Sequence, residues 1–184
     1  MERKGIYKWI RIFGLIFLIL STLEVLVYIL FSFMVNVDMG LENYIVIELI
    51  FASGYMTPHA GLIWVISLCI ILCFAMVGFY LVRIAGKKAL ANLTLARFCL
   101  LIGLFLILGG FIKMEFIVLL ARSETDPNFI FQDFVYNSLY IPLIGSIMWV
   151  YFTLVTCIFL VSGLIFGGFG LKWILNLQEN PIKE

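Results

Sequence analysis

Long runs of apolar residues, broken by a few polar positions, dominate the chain. Four of these runs reach the length of about 20 residues, at about 1.5 Å each, that a helix needs to cross the hydrocarbon of a bilayer. They lie at about residues 12–34, 60–82, 98–120 and 142–165. We therefore predict an all-α integral membrane protein, a bundle of four transmembrane helices that forms a single membrane domain over residues 1–184.

The last apolar run allows two interpretations. Residues 134–171 contain no charged side chain, and as one helix they would extend roughly 57 Å, too long for a simple crossing. The first interpretation is one span at about 142–165 with interfacial helix or loop on either side. The second is a helical hairpin within 134–171.

Two loops, 35–59 and 121–141, are expected on the outer side. The segment from Glu42 to Tyr55 is mostly apolar, and helix-breaking residues lie at its end, at Gly54, and just beyond it, at Pro58. It is too short to cross, so we predict a short interfacial or re-entrant helix in the first outer loop. A helix that only caps the bundle from outside would give the same pattern.

Composition indicates that the surrounding medium is lipid. Apolar side chains make up 64% of the chain and charged ones 12%, with a mean hydropathy of +1.16, whereas soluble domains are about half apolar and a quarter charged. The net charge of +1 gives no electrostatic footprint for nucleic acid. The expected partner is the lipid bilayer, together with other membrane subunits or further copies of the chain.

The positions of Lys and Arg predict the orientation. Eight basic residues lie in the N-terminal segment and the loop 83–97, against one, Arg122, in the two outer loops. The positive-inside rule therefore predicts cytoplasmic N- and C-termini in a multi-pass protein of the cell (plasma) membrane.

Glu24 is the most unusual residue, because it is the one charged position in the first span. It lies about 18 Å along that helix, and Lys113 lies about 22 Å along the third span, which places both at a similar depth. We predict that they form an intramembrane polar pair, which would lower the cost of each charge. A purely structural contact, a proton or ion relay, and contact with a partner subunit all fit.

Glycines in the third and fourth spans indicate close helix packing. Small residues three or four positions apart let helix backbones approach in lipid. The predicted interface consists of Gly109, Gly110, Gly163, Gly167 and Gly170. It serves either packing within this chain or docking of another membrane subunit.

Glu48, His59 and Asp133 form a weak candidate group in the outer loops. Carboxylates with an imidazole can bind a metal, but their spacing matches no compact ligand motif. A single histidine also excludes a haem held by two histidines of this chain. We predict no metal, no cofactor and no catalytic set.

These features favour a non-enzymatic polytopic subunit that packs in and stabilises a larger membrane protein complex. A small proton- or ion-coupled transporter that uses Glu24 with Lys113 is the second hypothesis. A lipid-active enzyme with an outer-face site is the third.

Overall fold

The computed structural model describes residues 3–38, 42–87, 92–122, 125 and 142–179. Four of its helices are long and apolar enough to cross a membrane, which confirms the prediction of a helical multi-pass membrane protein. In chain order the described helices are α1 (Arg3–Met34), α2 (Val46–Phe51), α3 (Pro58–Lys87), α4 (Asn92–Ala121) and α5 (Pro142–Glu179).

The long helices continue beyond the apolar spans read from the sequence. A span prediction follows hydrophobicity, whereas a helix continues through polar residues as long as its backbone hydrogen bonds do. Helix α5 is unbroken over 38 residues and begins with Pro142, a residue that suits the first turn of a helix. The helical hairpin is therefore wrong from Pro142 onward, and residues 134–141 lie outside the described part.

A short antiparallel pair of strands follows α1, and the sequence analysis does not predict it. Strand β1 (Asn36–Asp38) pairs with β2 (Asn43–Ile45), with Val37 opposite Tyr44. Strands of three residues are too short to show a clear alternation of apolar and polar positions. Directly after β2 the six-residue helix α2 begins, in the loop where a short helix is predicted.

One stripe of buried positions on α1 recurs at alternating steps of four and three residues. This 3.5-residue repeat is the spacing of helices that pack side by side with a left-handed twist. The stripe consists of Ile10, Gly14, Phe17, Ser21, Glu24, Tyr28, Phe31 and, directly after the helix, Val35, and the buried residues off it are Ile6, Tyr7 and Ser32. Small and polar residues thus share the buried stripe with aromatic ones.

The chain divides into two compact units, and each long helix contributes to both. Unit 1 comprises Met1–Leu20, Cys73–Phe111 and Thr156–Glu184. Within it, a Cβ added at Gly78 would lie 2.6 Å from the Leu18 backbone nitrogen, and one at Gly170 would lie 2.5 Å from that of Leu100. Helix α1 therefore packs closely on α3 in this unit, and α5 packs closely on α4.

Unit 2 comprises Ser21–Leu72 and Ile112–Val155 and has an aromatic core. Tyr28 stacks on Trp64 with ring centroids 4.3 Å apart, and its hydroxyl donates to the Trp64 carbonyl at 2.5 Å. Phe31 and Phe152 meet edge to face beside this stack. Aromatic packing with a satisfied hydroxyl fixes the rotamers in this core.

Close helix contact at Gly103 leads to a stability prediction. A Cβ added there would lie 2.2 Å from the Gly167 backbone nitrogen, and backbone yields little. We expect Gly103→Ala to destabilise the protein by about 1–3 kcal/mol, as overpacking does elsewhere. The measurement is unfolding in mixed micelles of rising SDS fraction, followed by circular dichroism.

Gly168→Ala is the matched control, because a Cβ there meets no atom within 4 Å. We expect its unfolding midpoint to equal that of the wild type. Equal midpoints for both variants would contradict the close approach of α4 and α5.

Candidate functional site

Glu24 and Lys113 meet in the interior of unit 2. The Lys113 Nζ donates to the Glu24 Oε1 in a direct ion pair. The Glu24 side chain is 0% exposed and the Lys113 side chain is 2% exposed. The structure thus brings together two residues that lie 89 positions apart in the chain.

Local sequence places both side chains on buried stripes. Glu24 follows Ser21 by three residues and precedes Tyr28 by four, and all three are buried on one side of α1. Lys113 occupies the corresponding stripe of α4, seven residues before the buried Leu120. Each helix turns its buried stripe inward, so the two charges meet inside the protein and neutralise each other. A lone charge in lipid would be costly.

Two buried polar atoms on α1, one of them on Glu24, have no hydrogen-bond partner. Among the described residues, the Glu24 Oε2 and the Ser21 Oγ are buried and accept or donate no bond. These atoms belong to residues one helical turn apart, on the same side of α1. Buried polar atoms are normally paired with protein or water, so these two atoms distinguish this part of α1 from the rest of its buried stripe.

A small cavity adjoins Lys113. Its volume is about 30 Å³, and its lining includes Tyr28, Trp64 and Ser67. A single water molecule needs about 10–15 Å³ of such space and two to four polar partners. The volume is thus sufficient for one water molecule, and Lys113 and Ser67 are among the lining residues that carry polar groups.

The glycines of the predicted interface pack against helices of the same chain. A Cβ at Gly163 would lie 2.9 Å from the Gly103 carbonyl oxygen, and one at Gly110 would lie 2.7 Å from the Leu160 side chain. A Cβ at Gly167 would make only ordinary contacts, at 3.8 Å, and Gly109 is half-buried. The contacts at Gly163 and Gly110 are thus made within the chain, and the use of these glycines to dock another subunit stays a prediction.

The outer-loop candidates occupy separate structural positions. The Ile45 backbone N–H donates to the Glu48 carboxylate at 3.4 Å, so Glu48 helps to cap α2. His59 is exposed in the first turn of α3, and Asp133 lies outside the described residues. Within the part of the chain that the structure describes, no three His, Cys, Asp or Glu side chains converge on a metal position.

Glu42 marks a further polar contact in the same loop. Its carboxylate accepts a hydrogen bond from the Tyr44 hydroxyl, and this bond raises the pKa of the Tyr44 phenol. The contact joins residues two positions apart. It orders the start of β2 and gives no reactive group.

Sequence reasoning did not identify Ser21 and Gly103. Ser21 resembles any serine in an apolar helix, although it lies three residues before Glu24. Gly103 belongs to no small-residue motif within α4, because its partners Gly163 and Gly167 lie on α5. The period of three and four residues that links Gly103 to Gly110 and Lys113 is the signal that could have revealed it.

Comparison with known proteins gives no relative. No protein-family model matches the chain, and no match was found among curated proteins or solved structures. Functional inference therefore depends on the geometry alone.

The ion pair predicts a specific mutational pattern. Glu24→Gln or Lys113→Met alone leaves a buried charge uncompensated, which costs about 3–5 kcal/mol in folded proteins. The double variant removes both charges, and we expect it to recover most of that loss. A double-mutant cycle of unfolding free energies in mixed micelles measures the coupling.

Glu115→Gln serves as the control on the same helix, since Glu115 is exposed. We expect it to change stability by less than about 0.5 kcal/mol. Additive single-variant effects in the cycle would contradict an interaction between Glu24 and Lys113.

Proposed function

We propose that this chain is a non-enzymatic subunit that packs in and stabilises a larger membrane assembly. One observation carries the proposal: α5 has a continuous exposed stripe at alternating steps of three and four residues. Its members are aliphatic or small: Ile147, Val150, Leu154, Cys157, Val161, Leu164, Gly168, Leu171 and Leu175. This is the spacing that a second helix matches along its whole length.

Two details favour a protein partner over lipid alone. Gly168 lies within the stripe, and a Cβ there would meet no atom within 4 Å, so another backbone could approach closely. Leu175 lies nearly one turn beyond Lys172, the first charge after the apolar span, and it is exposed. Lipid hydrocarbon ends near such a charge. A partner helix would cover the Leu175 side chain, which lipid hydrocarbon does not reach.

The ion pair is compatible with this role. Glu24 and Lys113 neutralise each other within the chain, and the four long helices have no break in their described lengths. Transporters more often bind their cargo at discontinuous helices. An ion pair whose two charges neutralise each other within the chain suits a rigid scaffold.

We further propose the arrangement in the membrane. The four long helices form a bundle, α2 lies as an interfacial or re-entrant helix on the outer side, and the termini are cytoplasmic in the plasma membrane. The support is the concentration of Lys and Arg in the N-terminal segment and at 83–97. The apolar residues of α2, among them the exposed Phe51, suit an interfacial position.

Photocrosslinking in native membranes tests the subunit proposal. Benzoylphenylalanine placed at position 164 lies on the stripe, whereas position 108 on α4 is equally exposed and lies off it. We expect a discrete protein adduct from 164 and only lipid adducts from 108. Lipid adducts alone from both positions, with a monomer in mild detergent, would contradict the proposal.

A proton-coupled transporter is the second candidate. The observation that favours it is the Glu24 Oε2, a buried oxygen without a hydrogen-bond partner on a carboxylate that pairs with Lys113. Lys113 in turn lines the small cavity. A carboxylate with one free oxygen can take up and release a proton, and intramembrane carboxylates commonly serve in such relays.

Reconstituted vesicles with an internal pH dye test this candidate. A transporter would give a proton flux that Glu24→Gln abolishes. Glu48→Gln is the control, because it makes the same chemical change at an exposed residue, and the flux should persist in it. Equal flux in wild type, both variants and empty vesicles would exclude it.

A further inference from the structure

An apolar groove opens on unit 1. Its volume is about 220 Å³, and its walls come from α1, α4 and α5. Helix α1 contributes Ile6, Trp9 and Phe13, and the other helices contribute Cys99, Phe166 and Phe169. The volume exceeds the roughly 150 Å³ at which an apolar cavity takes up a benzene ring.

The groove lies where its helices leave the hydrocarbon. Charged residues end the apolar stretch of each wall, at Arg11 on α1, Arg97 on α4 and Lys172 on α5. Such residues mark the boundary between hydrocarbon and headgroups. From Ile6 to Phe13 the groove extends about 10 Å along α1, so it crosses that boundary, where an apolar surface left to water would be unfavourable.

The chemistry of the lining selects hydrocarbon. Apart from the Trp9 indole and the Cys99 thiol, the side chains of the lining carry no polar atom. A ligand with buried carbonyl or hydroxyl groups would leave them unpaired there, at a cost. An acyl chain has none to satisfy.

The charges around the groove select an anionic headgroup. Within residues 5–20, 73–87, 92–111 and 156–178 of unit 1, every charged side chain is an exposed cation: Lys8, Arg11, Arg83, Lys87, Arg97 and Lys172. Lys172 is placed closest to the groove along α5, because it follows Phe169 by three residues and so lies on a neighbouring face. Basic side chains at this level attract anionic lipid.

We propose that this groove is a binding site for an anionic phospholipid. One acyl chain occupies the groove between Trp9 and Phe166, and the headgroup phosphate lies at Lys172. The site adjoins the exposed stripe of α5, because Ile165 follows Val161 by four residues and precedes Gly168 by three. The two surfaces use different side chains, since no stripe residue lines the groove.

Native mass spectrometry tests the site. Wild-type protein is released from nanodiscs that contain equal amounts of phosphatidylglycerol and phosphatidylcholine, and the retained lipid is counted by mass. We expect one phosphatidylglycerol to be retained in preference. We expect Lys172→Gln to lower the retention of phosphatidylglycerol about fivefold, the effect of one cation near an anionic surface. Lys87→Gln is the control, because Lys87 lies on α3, outside the groove, and we expect this variant to retain more phosphatidylglycerol than Lys172→Gln.

A bulky substitution at the rim separates the groove from general attraction to cations. Ile165 is an exposed residue of the groove lining, so Ile165→Trp would fill the groove. Leu104→Trp is the control, because Leu104 is also exposed but does not line the groove. We expect Ile165→Trp alone to abolish the retained lipid. The proposal would be overturned if both variants retained equal amounts of lipid or if the wild type showed no preference for phosphatidylglycerol. It would also be overturned if a co-purifying protein, and not lipid, occupied position 165.

Discussion

Hydrocarbon cannot hydrogen-bond, and this constraint governs the described structure. Each backbone polar group in a lipid-facing span must find its partner within the protein, and an unbroken helix provides it. The four long helices meet this demand for the backbone. For side chains the same demand explains why Glu24 and Lys113 face each other in unit 2, since either alone would be costly in lipid.

Packing within each unit follows from the same medium. Lipid tails are as apolar as leucine, so burial of apolar surface does little to drive helices together, and close van der Waals contact matters more. In unit 1 the close approaches occur at glycines, such as Gly103 against α5. In unit 2 they occur through stacked rings, such as Tyr28 on Trp64. The Ser21 hydroxyl and one Glu24 oxygen are exceptions to complete polar pairing, which makes them the most informative atoms of the site.

Span number and the proximity of Glu24 and Lys113 follow from the sequence because both depend on length and depth. The faces that pack did not follow, since helices that are apolar all round hide their buried stripe from a hydrophobic pattern. Polar and small residues mark that stripe instead: Ser21, Glu24 and Gly14 share it on α1. The strand pair after α1 escaped prediction because three-residue strands carry almost no periodic signal. The roles of the site residues remain predictions.

Native cysteines provide the most direct measurement of the medium around these helices. Cys69, Cys73 and Cys157 are exposed in the structure and lie within spans. In intact membranes opened to reagent on both sides, we expect a charged, membrane-impermeant maleimide to leave these thiols unlabelled, because a thiol in hydrocarbon does not ionise to the reactive thiolate. We expect the same reagent to label them once SDS has unfolded the protein. Rapid labelling of these three thiols by the charged reagent in intact membranes would show that water surrounds the helices, and it would contradict their placement in hydrocarbon.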